Sequence, residues 1–188
     1  QVDDTVVSMT VAIGALLGLL IQGNTIDAEI SGKLMDQVKS GELPFHAVTG
    51  DNLKPPRPGD AEPPRAGRFA SPDALLTPSS IAAAASDPDI RIDPAWKVSI
   101  VYGMPCAIYH QLPAAYYLSS LLNDDFESTV LHAVNGGGQN QARAILTGTL
   151  TGAQVGMSRI PQRFLEGLEK ADELQNLAET LASHVVPV

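Results

Sequence analysis

The chain has a single cysteine, Cys106, and its 12 Lys plus Arg are outnumbered by 21 Asp plus Glu. A lone cysteine closes no internal disulfide, and with four scattered histidines it matches no zinc-ligand spacing. A reducing, intracellular setting, cytoplasmic or organellar, is therefore expected. The net charge of −9 produces a field that repels phosphate backbones, which argues against nucleic acid as a partner. Long apolar runs are missing too. The longest, Val6 to Ile21, includes Ser8 and Thr10 and falls short of the roughly 18 consecutive apolar residues of a membrane span, so it reads as a buried helix. Residue 1 is Gln, and no basic stretch with a cleavage site precedes the apolar run; the chain reads as a fragment.

What is present suits one core. At 188 residues and 44% hydrophobic content the chain is long enough to bury most of its unfolded surface as a single domain, expected to span 1–188. Thr5 to Gln22 carries apolar residues on nearly every face, with Ala12, Gly14, Ala15 and Gly18 as small positions. That pattern predicts a helix with neighbours on several sides. Gly23-Asn24 ends it, and Asp27 to Lys39 follows with Ile30, Leu34 and Val38 at four-residue spacing, an amphipathic helix stopped by Ser40-Gly41. The two form a helical hairpin.

Ten of the 14 prolines lie between Pro44 and Pro94, and each removes a backbone donor and restricts its predecessor. Residues 44–94 are accordingly read as an irregular insertion, without regular structure from Asp51 to Arg68, that serves as an extended arm for a protein partner or as an ordered long loop. Ser79 to Ser86, rich in Ala, forms a short helix within it, opened by Pro78-Ser79.

From Ala95 onward the pattern is helical again. Ala107 to Leu122 surrounds Pro113, which either kinks that helix or starts a new one. Asn123-Asp124-Asp125 precedes Phe126, Val130 and Val134, which share a helix face. Gly136, Gly137 and Gly138 form a tight loop. Gly148, Gly152 and Gly156 then recur every four residues, a stripe for close packing against another helix. Pro161 opens the last helices, in which Leu174, Leu177 and Leu181 keep helical spacing. No period-2 segment occurs, so the fold class is all-α.

Few residues suggest chemistry. Glycines before a helix let free backbone N–H groups approach an anion, although such runs are more often simple turns. Gln139, Asn140 and Gln141 add amide donors and acceptors without charge, which suits binding better than catalysis. Asp3-Asp4 and Asp124-Asp125 are explained by helix capping and the macrodipole. Cys106 reads as a small buried hydrophobe, and His46, His132 and His184 have no acidic or thiol partner nearby in sequence.

The run from Ala133 through Asn135, Gly137, Gly138, Gly148, Gly152, Ala153 and Gly156 to Ile160-Pro161 resembles the C-terminal signature of the ADP-ribosylglycohydrolase family. That family includes the dinitrogenase-reductase-activating glycohydrolases and the J1 crystallins. Its usual form is A-x-N-x-G-G-D-[ST]-D-[ST], a G-x-x-x-G-A-x-x-G helix, then I-P, and every glycine position agrees. Pro113-Ala-Ala-Tyr-Tyr and Asp125-Phe126-Glu127 are similar to the family's approach to that loop, so the resemblance covers residues 95 to 182.

The resemblance implies a compact multi-helix domain. It also implies a binuclear magnesium centre held by two aspartates and a hydroxyl of the loop, but the corresponding positions are Gln139, Gln141 and Ala142. Neutral amides serve magnesium poorly, so no cofactor and no metal ligand are expected. At the other end, Gln1 to Gly23 is similar to a later family segment that opens with T-H and ends in L-x-G, and Gln1 stands at the His position. On that alignment the metal-carrying N-terminal half lies outside this chain.

The resulting expectation is a family member with a degenerate magnesium site, a pseudoenzyme or repurposed binding domain. It would take an ADP-ribose-like or other nucleotide or sugar ligand at Asn135, Gly136, Gly137, Gly138, Gln139, Asn140 and Gln141, with Tyr109 and His110 contributing from the 102–111 segment. The alternatives are a structural or assembly protein of the J1-crystallin kind, and an active hydrolase of ADP-ribosyl bonds.

Overall fold

Helix punctuation by proline, glycine and short polar residues organises the computed structural model, which describes residues 4–43, 45 and 73–184. The helices are α1 (Asp4–Ile21), α2 (Ile30–Lys39), α3 (Asp73–Ser86), α4 (Val98–Tyr102), α5 (Ile108–Leu121), α6 (Phe126–Asn135), α7 (Asn140–Val155), α8 (Gln162–Glu166) and α9 (Ala171–Ser183), with 3-10 turns at Ala95–Lys97 and Met157–Arg159. Among the described residues there is no β-strand, so the all-α class holds. No helix there is long and apolar enough to cross a membrane.

The central element is α5, buried on two faces. Leu112, Ala115 and Tyr116 enter a core with Leu16 and Leu20 of α1, Leu34 of α2, Leu75 of α3 and Leu150 of α7. Ala114, Tyr117 and Leu118 enter a second core with Ala85, Val98 and Ala133. Each fully buried aliphatic or aromatic side chain contributes about 1.5–3 kcal/mol relative to exposure, which is why α5 anchors the loops at both its ends. Pro113 is accommodated inside one continuous helix. Burial of the Tyr116 hydroxyl, which has no hydrogen-bond partner, pushes its pKa up.

Three expectations change. The apolar run of α1 packs against α3, α5 and α7 but is not enclosed: Ser8, Ala12, Leu16, Leu19 and Leu20 are buried, whereas Thr10, Gly14 and Ile21 are exposed and nothing lies within 4 Å of a side chain built at Gly14 or Gly18. The small residues of that stripe mark helix and not a further interface. Secondly, the helix expected from Ser79 begins at Asp73 and contains Pro78. Its interrupted backbone ladder is served from α2, for Ser79 N–H donates to Ser31 Oγ at 3.1 Å and Ser31 Oγ–H donates to the Leu76 carbonyl at 3.1 Å. This tertiary pairing offsets the break that Pro78 would otherwise cause. Residues 46–72, and with them the expected irregular stretch 51–68 and most of the arm, lie outside the described residues.

The helix expected from the leucine spacing forms as α9, and its leucines face outward. Leu174, Leu177 and Leu181 are 46%, 60% and 55% exposed. Lastly, Cys106 is exposed in the bend between α4 and α5 and not buried.

The glycine stripe does pack a helix. A Cβ at Gly148 would stand 3.6 Å from Val130 Cγ2, and one at Gly152 3.6 Å from Phe126 Cε2, both on α6. Gly156 instead terminates α7 at φ +74.

Candidate functional site

The loop between α6 and α7 is shaped by what lies beneath it. Gly136 allows close approach: a side chain there would meet Ser99 Oγ at 2.7 Å and the Trp96 carbonyl at 2.9 Å. Gly138 has φ +61, and a Cβ on it would come within 2.6 Å of Met104 Cβ. Glycine is thus required at both by contact, and at 138 by backbone geometry as well. Gln139 N–H donates to the Met104 carbonyl at 3.0 Å and Asn140 N–H to the Gly138 carbonyl at 2.8 Å. The first bond seats the loop against the bend between α4 and α5, and the second tightens the loop itself.

Under the loop lies a polar cluster centred on Arg143, which is wholly buried. Its Nε–H donates to the Ala133 carbonyl at 2.9 Å, one Nη1–H to Gln111 Oε1 at 3.1 Å, and Nη2–H to the Gly137 carbonyl. Gln111 is fixed in turn, its Nε2–H donating to the Pro105 carbonyl at 2.6 Å. The Ser99 hydroxyl donates to the Gly136 carbonyl. Among the described residues no carboxylate pairs with Arg143. Burial lowers its pKa from the ordinary guanidinium value, yet a guanidinium stays charged in proteins, so the loop rests on a fixed positive charge neutralised only by dipoles.

The expected site residues divide by position. Asn135, Gln139 and Gln141 are exposed at the rim, Gly136 is buried, and Asn140 is half-buried with its Nδ2–H donating to the Val134 carbonyl at 3.4 Å. Tyr109 is 55% exposed, and its ring lies tilted at 59° to that of His110 with centroids 4.7 Å apart. His110 Nδ1–H donates to the Tyr102 carbonyl at 2.6 Å, since a carbonyl only accepts; in the neutral ring that leaves Nε2 as an acceptor. Neither Tyr109 nor His110 hydrogen-bonds to the loop, and the connection runs through Met104 and Gln111. Nearby, the Tyr102 hydroxyl has a raised pKa, chiefly from burial and further from Tyr117.

Other candidates are structural. Asp125 caps α6, its Oδ1 accepting from Ser128 N–H at 2.9 Å and its Oδ2 from the Ser128 hydroxyl at 2.6 Å, and these bonds hold its carboxyl below the ordinary range. No three His, Cys, Asp or Glu side chains converge among the described residues. At the far end of α7 a cleft of about 360 Å³ opens between Ile21, Ala153, Met157, Ala178 and Leu181, a feature absent from the sequence expectations. Arg143 and Ser99 were also not foreseen as parts of the site, whereas Met104 and Gln111 lie in the 102–111 segment expected to contribute. Of the first two, Arg143 alone left a signal, as the one charged residue of α7.

An all-α domain in which a glycine loop opens a helix bearing a stripe of glycines defines a recognisable class. Residues 2–187 match the model of the ADP-ribosylglycohydrolase family, and the chain belongs to that family. The match includes α1 and so extends beyond residues 95–182, where the motifs lie. A stretch of 70 residues is 40% identical to an uncharacterized protein of Archaeoglobus fulgidus, covering 37% of this chain and 22% of that protein. No solved structure matches the chain.

Proposed function

We propose that this family member binds an ADP-ribose-like ligand, or another phosphate-bearing nucleotide or sugar, at the Asn135–Gln141 loop without the family's magnesium, as a binding domain and not a standard hydrolase. The observation that carries this reading is the chemistry of the loop. Gln139 and Gln141 offer neutral amides, Ala142 offers no oxygen, and the buried charge beneath them is a guanidinium. Magnesium prefers charged oxygen and sheds water reluctantly, so this donor set does not fit it. Amide groups on the exposed rim suit hydroxyls and phosphates. The tilted Tyr109–His110 pair supplies an exposed aromatic surface for a base. We place the domain inside the cell, where the unpaired thiol of exposed Cys106 stays reduced.

Calorimetric titration with ADP-ribose, with and without magnesium, tests this. Metal-independent binding is the expected outcome. Binding only with magnesium restores the hydrolase reading, and no binding in either condition removes the ligand role. A structural or assembly role is the second reading, favoured by the exposed Leu174, Leu177 and Leu181 of α9; sedimentation of the wild type against Leu177→Glu checks it, with loss of association expected.

A further inference from the structure

We infer that Arg143 is the charge-selecting residue of the glycine loop, a positioning group that bars divalent cations from the 139–141 rim and turns the loop toward anions. This rests on the reading that the loop is the ligand site. Three observations support it. The guanidinium is fully buried and ties the last turns of α6 to the loop, at the Ala133 and Gly137 carbonyls. Its own backbone N–H donates to the Gln139 carbonyl at 3.2 Å, so position 139 lies one helical turn from it. Its remaining partner is the amide of Gln111 and not an acid, which leaves the charge uncompensated.

Direction matters as much as charge. The Gly137 carbonyl is drawn inward by Arg143, and in a planar trans peptide the N–H of Gly138 must then face the other way. That N–H meets no acceptor among the described residues. A cation approaching from outside would meet this donor and, behind it, a charge of its own sign in a water-poor interior. At an effective dielectric of about 20, two unit charges about 7 Å apart interact strongly enough to shift affinity more than tenfold. Exchange of acids for Gln139 and Gln141 is therefore only half of the change from a cation site, and restoring the acids is not sufficient to reverse it.

The test titrates manganese, followed by electron paramagnetic resonance, into four proteins: wild type, Gln139→Asp/Gln141→Asp, and that pair combined with Arg143→Met or with Arg143→Lys. The double variant is expected to bind manganese weakly. Adding Arg143→Met should tighten binding at least tenfold, and adding Arg143→Lys should not, because lysine keeps the charge while losing the forked hydrogen bonds. Equal affinity in the double variant and its Arg143→Met derivative overturns the inference, as does equal tightening by Met and Lys.

Should Arg143→Met fail to fold, the wild type provides a second measurement through the amide NMR signal of Gly138. Pyrophosphate should move that signal and submillimolar manganese should leave it sharp; the reverse pattern overturns the inference. Failure of ADP-ribose to bind while pyrophosphate moves Gly138 removes the nucleotide reading and leaves the role of Arg143 standing. Tight binding of ADP-ribose with Gly138 unmoved by either ligand does the opposite.

Discussion

Arg143 donates to Gln111 Oε1 at 3.1 Å inside the protein, a buried cation held by an amide where a carboxylate would ordinarily be needed. The amide cannot neutralise the charge, so the pair works by geometry. Gln111 is itself oriented by the Pro105 carbonyl, and α5, α6 and the loop are thereby joined through one side chain. Lysine has a single donor head and cannot replace a planar fork. Arg143→Lys is expected to lower stability by about 2 kcal/mol, because buried carbonyls lose their donors. Urea unfolding should show this as a lower midpoint with an unchanged slope.

Gly138→Ala should be costly for its size. The residue sits at φ +61, and the added methyl would stand 2.6 Å from Met104 Cβ and 2.9 Å from the Met104 carbonyl. Strain and overlap together are expected to cost about 2 kcal/mol, and displacement of the loop should weaken ADP-ribose binding at least tenfold. Calorimetry on the variant and wild type checks both parts.

The Asp125 cap predicts a pH dependence. Hydrogen bonds from Ser128 depress the folded-state pKa of this exposed carboxyl. Stability from it is therefore fully present above the unfolded carboxylate value, near pH 4, and is lost as pH falls through the lower folded value. Asp125→Ala should cost about 0.5–1 kcal/mol at pH 7, with the difference from wild type shrinking below pH 4. Asp125→Asn, which keeps the capping oxygen without the titration, should lose little and show no such trend. Thermal unfolding across pH 2.5–7 is a range of about the right width to resolve the change.

Gly148 and Gly152 are closely packed but not at the limit. Nearest atoms to an added Cβ stand at 3.6 Å in both cases, ordinary van der Waals contact. Alanine at either position is expected to raise stability by about 0.5–1 kcal/mol through helix propensity and a less flexible unfolded chain. Leucine at 152 should instead lower it by about 1–3 kcal/mol by pressing on Phe126. Denaturation midpoints of opposite sign for the two substitutions at 152 would confirm the spacing.

Much of the fold was legible because helix signals are local. Asp125 before Phe126 and the Ile30, Leu34 and Val38 spacing each mark an element through its neighbours in the chain. Pro78 misled for the complementary reason. Taken locally it starts a helix, but Ser31, 48 residues away from Ser79, supplies the donor and acceptor that let α3 run through it. The leucines of α9 likewise mark a helix and reveal nothing about whether another element covers them.

The glycine loop, its family membership and the glutamines at 139 and 141 follow from residue order alone, since they depend on identity and spacing. The placement of Arg143 could not follow from it. A lone arginine in a helix of small residues is compatible with a solvent-facing position, and nothing nearby in sequence indicates that Ala133, Gln111 and Gly137 surround it. Packing of α5 against α6 and α7 buries that charge, and burial is what converts an ordinary surface cation into the dominant electrostatic feature beneath the loop.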